Sequence, residues 1–258
     1  MKHWRHLLVA LAVLASCAVA LGDSQVSDHL LELRQLALQG NAEAQNTLAL
    51  AILEDDSAEY SLDEAIYWLG QAAIQGHAGA QTNLGLIYLT SEDIDRDEEH
   101  ALSLFRQAAQ QGMPAAQLAL GYLYENSSDI THNAAHNAEA AAYWYQQAAR
   151  QANSSAQYHL GLLYASGTGV NKDATKSFYW LQQAADHGLS AAQFQIGLHY
   201  LHGEGVETNL LRGYRYMLQA SLHAGIMSFD SRDLVSNALT AEQIAEIHDD
   251  TRLWHAHS

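Results

Sequence analysis

Scarcity is the first property of this chain. Its 258 residues hold one cysteine and one proline, and only 12 lysines and arginines stand against 29 aspartates and glutamates. A lone Cys17 excludes an internal disulfide framework and any cysteine-based metal knuckle. The formal net charge of −17 makes nucleic acid and anionic lipid head groups poor partners, and leaves basic proteins, cationic peptides or metal ions as the easier ones. Catalytic signatures are missing too. The chain has no G-x-S-x-G, no H-E-x-x-H, no Walker loop, and neither S-x-x-K nor K-T-G. The acidic run Asp93-Ile94-Asp95-Arg96-Asp97 opens like a calcium loop, but Glu98 stands where that loop needs glycine and Leu104 where it needs glutamate. It reads as a solvated turn, and no cofactor is expected.

What the chain does have is periodicity. Ala-Gln pairs start at Ala44, Ala80, Ala116, Ala156 and Ala192, separated by 36, 36, 40 and 36 residues. The small-residue pairs Ala72-Ala73, Ala108-Ala109, Ala148-Ala149, Ala184-Ala185 and Ala220-Ser221 follow the same steps. A period of this length marks supersecondary units that cannot bury their own apolar faces and therefore stack on their neighbours. Each Ala-Gln opens a run with small or apolar residues at i, i+4, i+5 and i+8, one face of a helix, and each small pair closes a second such run. Every unit is therefore a helix pair.

The punctuation agrees. Gly40, Gly76, Gly112 and Gly188 sit three residues beyond the closing pairs, where a helix end calls for the left-handed conformation that glycine adopts most cheaply. At the corresponding place in the third unit stands Ala152, and Asn153 is expected to take that conformation instead. Pro114 suits the first turn of a helix. Gly167-Thr168-Gly169-Val170 and Gly203-Glu204-Gly205-Val206 supply turns within the later units. Earlier units have Ser91-Glu92-Asp93-Ile94 and Ser127-Ser128-Asp129-Ile130, and the third carries four extra residues near Ala134 to Asn137.

The segment from Ala156 to Gly188, with Leu160-Gly161, Tyr164, Gly167, Gly169-Val170, Asp173, Trp180 and Ala184-Ala185, closely resembles the Sel1-like repeat, a relative of the tetratricopeptide repeat. The resemblance recurs in register over about residues 28 to 225 and starts with a closing-type helix from Asp28 to Gln39. It implies an all-α fold: a right-handed α-solenoid of about five helix-turn-helix repeats with N- and C-terminal capping helices. The array is expected over 27–225, with units about 41–76, 77–112, 113–152, 153–188 and 189–224. Residues 226–258 read as a capping helix and tail, opened by a Thr240-Ala241-Glu242-Gln243 capping box.

The N-terminus carries an address. Lys2 and Arg5 precede an apolar run from Leu7 to Ala15, the form of a secretory signal peptide, assigned to residues 1–22. Leu14-Ala15-Ser16-Cys17 matches the lipoprotein processing box, which makes Cys17 a lipidation candidate; ordinary cleavage after Ala18-Val19-Ala20 or Ala20-Leu21-Gly22 stays open beside it. The expected location is the periplasm or the outer membrane.

In a stacked array the first helix of each unit lines the concave side. There the packing positions repeat, while the position between the glutamine and the leucine varies: Thr47, Asn83, Ala119, His159, Gln195, followed one turn later by Ala51, Ile87, Leu123, Leu163 and His199. Asn83, His159, Gln195 and His199 are therefore the expected partner-binding residues. The repeated Tyr88, Tyr124, Tyr164 and Tyr200, with Trp68, Trp144 and Trp180, read as inter-repeat core. The expected function is a non-catalytic scaffold or adaptor of the bacterial cell envelope with protein partners. Two other classes stay open. One is an envelope hydrolase or peptidoglycan-active enzyme, needing convergent histidines and carboxylates. The other is a histidine-rich metal binder built on His199 with His202, His132 with His136, or His248, His255 and His257 beside Asp249 and Asp250.

Overall fold

A computed structural model describes residues 23–54, 61–91, 94–126, 133–224 and 240. The segments 1–22 and 241–258, with Cys17, most of the capping box and the histidine tail, lie outside the described residues. Among those described there are eleven α-helices and no strand: α1 (Asp23–Leu38), α2 (Ala42–Glu54), α3 (Leu62–Ile74), α4 (Ala78–Thr90), α5 (Glu98–Gln110), α6 (Pro114–Asn126), α7 (Ala134–Arg150), α8 (Ser154–Ser166), α9 (Ala174–Asp186), α10 (Ser190–His202) and α11 (Leu210–Ala224). The chain divides into two compact units, one up to Leu120 and one from Gly121. In the first, α1 to α5 pack in chain order, each on the next; in the second, α7 to α11 do the same. This is the all-α solenoid class, built from consecutive helix pairs.

The glycine that follows the leucine or isoleucine of four of the five first helices explains how a pair closes. A Cβ on Gly85 would stand 2.8 Å from the Phe105 ring, on Gly121 2.5 Å from the Tyr145 ring, on Gly161 2.6 Å from Leu181, and on Gly197 2.6 Å from Met217. A large side chain from the second helix thus rests directly on the backbone of the first. In the first pair Ala49 and Leu69, both fully buried, occupy the same register. Small against large is how such layers interdigitate without voids.

The Ala-Gln landmark has an equally direct cause. The Nε2 groups of the buried Gln45, Gln81, Gln117, Gln157 and Gln193 donate to the carbonyls of Ala37, Ala73, Ala109, Ala149 and Ala185 at 3.0, 3.2, 3.3, 3.2 and 3.5 Å. Each acceptor belongs to the last turn of the preceding helix and already accepts from the backbone N–H of Gly40, Gly76, Gly112, Ala152 or Gly188. The buried glutamine amide takes the second lone pair of that carbonyl, so it is itself satisfied while stitching one pair to the next. In the first unit its Oε1 is satisfied as well, since Gln75 Nε2 donates to Gln45 at 2.8 Å and Gln111 Nε2 to Gln81 at 3.0 Å. In the second unit the corresponding residue is His187, whose Nδ1 lies 2.7 Å from the Gln183 carbonyl, and Gln157 Oε1 stays buried with no partner among the described residues. His187→Gln supplies the missing donor. It is expected to raise stability by about 1 kcal/mol, read as a higher urea midpoint at unchanged slope.

Helix ends follow the expected chemistry with two differences. Gly40, Gly76, Gly112 and Gly188 all have positive φ, and Pro114 opens α6. In the third pair, however, the left-handed residue is Ala152 itself, at φ 61°. Asn153 does not take that role, because it caps α8, its side chain accepting from the Ala156 N–H at 2.9 Å. The cap interaction outweighs the small conformational cost at alanine. The four extra residues form helix instead of loop. They lengthen α7 to 17 residues against 13 in α3, α5 and α9, one added turn that keeps every later residue on its proper face. Asn133 is the new cap, and Asn137, aligned with the caps Asp97 and Asp173, is buried inside the helix.

Candidate functional site

The four expected surface residues fall into two pairs. Asn83 is buried, and its Nδ2 donates to Asn46 Oδ1 at 3.0 Å. His199 is buried too, with Nδ1 2.5 Å from the Glu204 carbonyl and Nε2 3.4 Å from Ser177 Oγ. Both side chains spend their polar atoms inside the stack, which corrects the expectation that they are exposed. The row one turn on is interior in general: Ile87, Leu123 and Leu163 are buried with His199. His159 and Gln195 are half-buried and keep an open edge. Of the repeated aromatics, Tyr124, Tyr200 and Trp68 are buried; the rest are partly so.

Around His159 the second unit assembles a polar group that sequence reading missed. Glu125, in the last turn of α6, accepts a 2.6 Å hydrogen bond from Tyr145 Oη of α7. His159 Nδ1, on α8, stands 3.4 Å from the same carboxylate oxygen. The Tyr145 and His159 rings stack with centroids 4.9 Å apart and planes 13° from parallel. Tyr145 is fully buried, while the side chains of Glu125 and His159 remain about one-third exposed. The hydrogen bond from His159 holds the Glu125 carboxyl below the usual range against the opposing effect of burial, and Tyr145 adds to it. Burial and the adjacent carboxylate push the Tyr145 phenol far up, so it stays a donor. Register could have flagged the group. The places of Tyr145 in other pairs hold Leu69, Phe105, Leu181 and Met217, and those of Glu125 hold Leu53, Leu89, Ala165 and Leu201.

A carboxylate whose pKa is depressed by folding stabilises the fold above its unfolded pKa of about 4.5, and that contribution disappears as pH falls through the lower folded value. Glu125→Gln is therefore expected to lower stability at neutral pH. Its deficit against wild type should shrink steadily below pH 4.5 in denaturant titrations read by circular dichroism.

Elsewhere the chemistry is sparse. Asp97 caps α5 and accepts from the His100 N–H at 2.9 Å. Among the described residues no three His, Cys, Asp or Glu side chains are grouped to hold a metal ion, and no helix is long and apolar enough to cross a membrane. The arrangement offers a polar patch on stacked helices.

Comparison with known proteins gives the class a name. The Sel1 repeat matches residues 42–77, 78–113, 114–153, 154–189 and 190–223, and the chain belongs to this family, whose repeats generally build protein–protein interaction scaffolds. Among solved structures it is similar to c5321, a protective antigen of uropathogenic Escherichia coli strains displaying an SLR fold, at 28% identity and TM-score 0.80 over 95% of this chain. It spans only about half of that protein, 51%. A Sel1 repeat protein from Oxalobacter formigenes is 27% identical, TM-score 0.69, over 79% of this chain and 83% of that one. A Klebsiella pneumoniae Sel1 repeat protein, 24% identical over 80% of this chain and 98% of its own with TM-score 0.50, shares the fold. No curated protein matches.

Proposed function

We propose that the chain is a non-catalytic scaffold of the bacterial cell envelope that holds a protein partner along its first helices, the side expected to be concave, in the second unit. One observation carries this reading. Glu125 and His159, about one-third exposed, meet across successive first helices, and Gln195, half-buried, holds the place of His159 on the next one, while Asn83 and His199 are buried. A fixed frame with one chemically distinct row is what a recognition surface needs. The acidic balance of the chain favours a basic partner. Export rests on Lys2, Arg5 and the apolar run after them, and anchoring on Cys17; intact mass of the purified cellular protein distinguishes a lipidated Cys17 from cleavage beyond it.

The test is cross-linking in cells with a photoreactive residue at Gln195. His159→Ala is expected to reduce a defined adduct several-fold while helical content stays unchanged. An adduct pattern indifferent to His159 removes the proposal.

A further inference from the structure

We propose that Glu125 and Tyr122 form an anchor for one primary ammonium group, the side chain of a lysine in the partner protein. The inference rests on the scaffold reading and adds the chemistry of recognition to it.

Packing does not require this group. At the place of Tyr145 the other pairs fill the same space with Leu69, Phe105, Leu181 or Met217, and at the place of Tyr122 stand Leu86, Leu162 and Leu198. The α6–α7 pair alone has tyrosine at both positions, together with Glu125, and His159 reaches it from α8. A buried hydroxyl costs stability unless it is satisfied, and here satisfaction comes only through a carboxylate that is itself partly desolvated. A departure from the local rule confined to one repeat points to function rather than to folding.

The open valence of Glu125 also has a direction. Among the described residues the Glu125 carboxylate meets Tyr145 Oη and His159 Nδ1, both at Oε2. Oε1 accepts nothing among the described residues, on a side chain 33% exposed. The carboxylate is thus fixed in orientation by one oxygen and open at the other. A guanidinium fork needs two oxygens side by side, and one is already engaged; an ammonium needs a single strong acceptor. Lysine fits and arginine fits less well.

A ring stands beside the carboxylate. Tyr122 precedes Glu125 by three residues on α6, so the two side chains share a helix face. Tyr122 is 54% exposed, leaving its ring free to take a lysine stem along its face, with the ammonium within reach of the ring's negative surface.

The experiment uses the full chain and fluorescein-labelled hexalysine, hexa-arginine and fully acetylated hexalysine, with fluorescence anisotropy at about 0.15 M salt, where attraction between exposed charges is screened within about 8 Å. Wild type is expected to bind hexalysine more tightly than hexa-arginine and to ignore the acetylated peptide. Glu125→Gln should weaken hexalysine about tenfold or more, whereas Glu139→Gln, an equal loss of charge at an exposed site on α7, should change it less than twofold. Tyr122→Ala, at an exposed position, should weaken binding several-fold and carries the test if Glu125→Gln perturbs the helical spectrum. Equal effects of Glu125→Gln and Glu139→Gln, or tighter binding of hexa-arginine, overturn the anchor. If that happens while the Gln195 adduct persists, the scaffold reading stands without it; loss of any His159-dependent adduct removes both.

Discussion

Gly169→Ala is expected to destabilise the second unit by about 2 to 4 kcal/mol, seen as a large fall in the denaturation midpoint. Two costs combine. Gly169 has φ 68°, in the region where a side chain is strained, and an added Cβ would overlap the Ala138 carbonyl at the start of α7. That obstacle is backbone, so it cannot swing aside. Gly205 repeats the geometry at φ 73° against the Ala174 carbonyl at the start of α9. Gly188 separates the two costs. It has φ 82° but nothing within 4 Å of a Cβ, so Gly188→Ala should cost only about 1 kcal/mol. Ala152 at φ 61° already shows that alanine is tolerated in such a helix-end conformation. A Gly169→Ala variant no worse than Gly188→Ala would mean that the loop does not rest on α7 as described.

Leu160→Ala should cost about 2 to 5 kcal/mol, measured by urea unfolding. Leu160 is 1% exposed on α8, next to Gly161, against which Leu181 of α9 packs. With no side chain at 161, Leu181 of α9 rests on the α8 backbone, and that contact limits how far the two helices can close on a void. The lost methyls therefore leave a cavity that collapses poorly, which places the expected value toward the upper part of the range. In a repeat array each pair is stabilised mainly by its neighbours. The slope of the transition should accordingly fall if the damaged pair unfolds separately, and stay constant if the array unfolds as one. Leu120→Ala, at a fully buried position on α6, is expected to behave alike.

The repeating frame was legible because each landmark answers a recurring physical demand. Alanine-glutamine pairs recur where a buried amide must meet a helix-end carbonyl, and Gly40, Gly76, Gly112 and Gly188 where a left-handed residue must follow. Positions decided by competition between two local demands were harder. Asn153 suits both a left-handed conformation and a cap, and only the geometry of α8 selects the cap. The insertion at Ala134 to Asn137 had no marker separating a loop from a further helical turn until Asn133 was seen capping α7. Burial of Asn83 and His199 depends on partners in other helices, Asn46 and Ser177, that neither residue's own periodicity reveals. The Glu125, Tyr145 and His159 group is the same problem at larger scale, since three helices contribute one residue each. Aligning the repeats column by column exposes two of its members, Glu125 and Tyr145, as places where apolar residues give way to polar ones.

In the scaffold we propose, a partner protein docks on the first helices of the second unit and not on the second helix of each pair. A photoreactive residue placed in turn at Gln195 and at Tyr179, an exposed residue of α9, compares the two sides within the same cells. A discrete adduct is expected from Gln195, weakened by His159→Ala, and none of that mass from Tyr179. The same adduct from both positions, or one from Tyr179 alone, would contradict this docking.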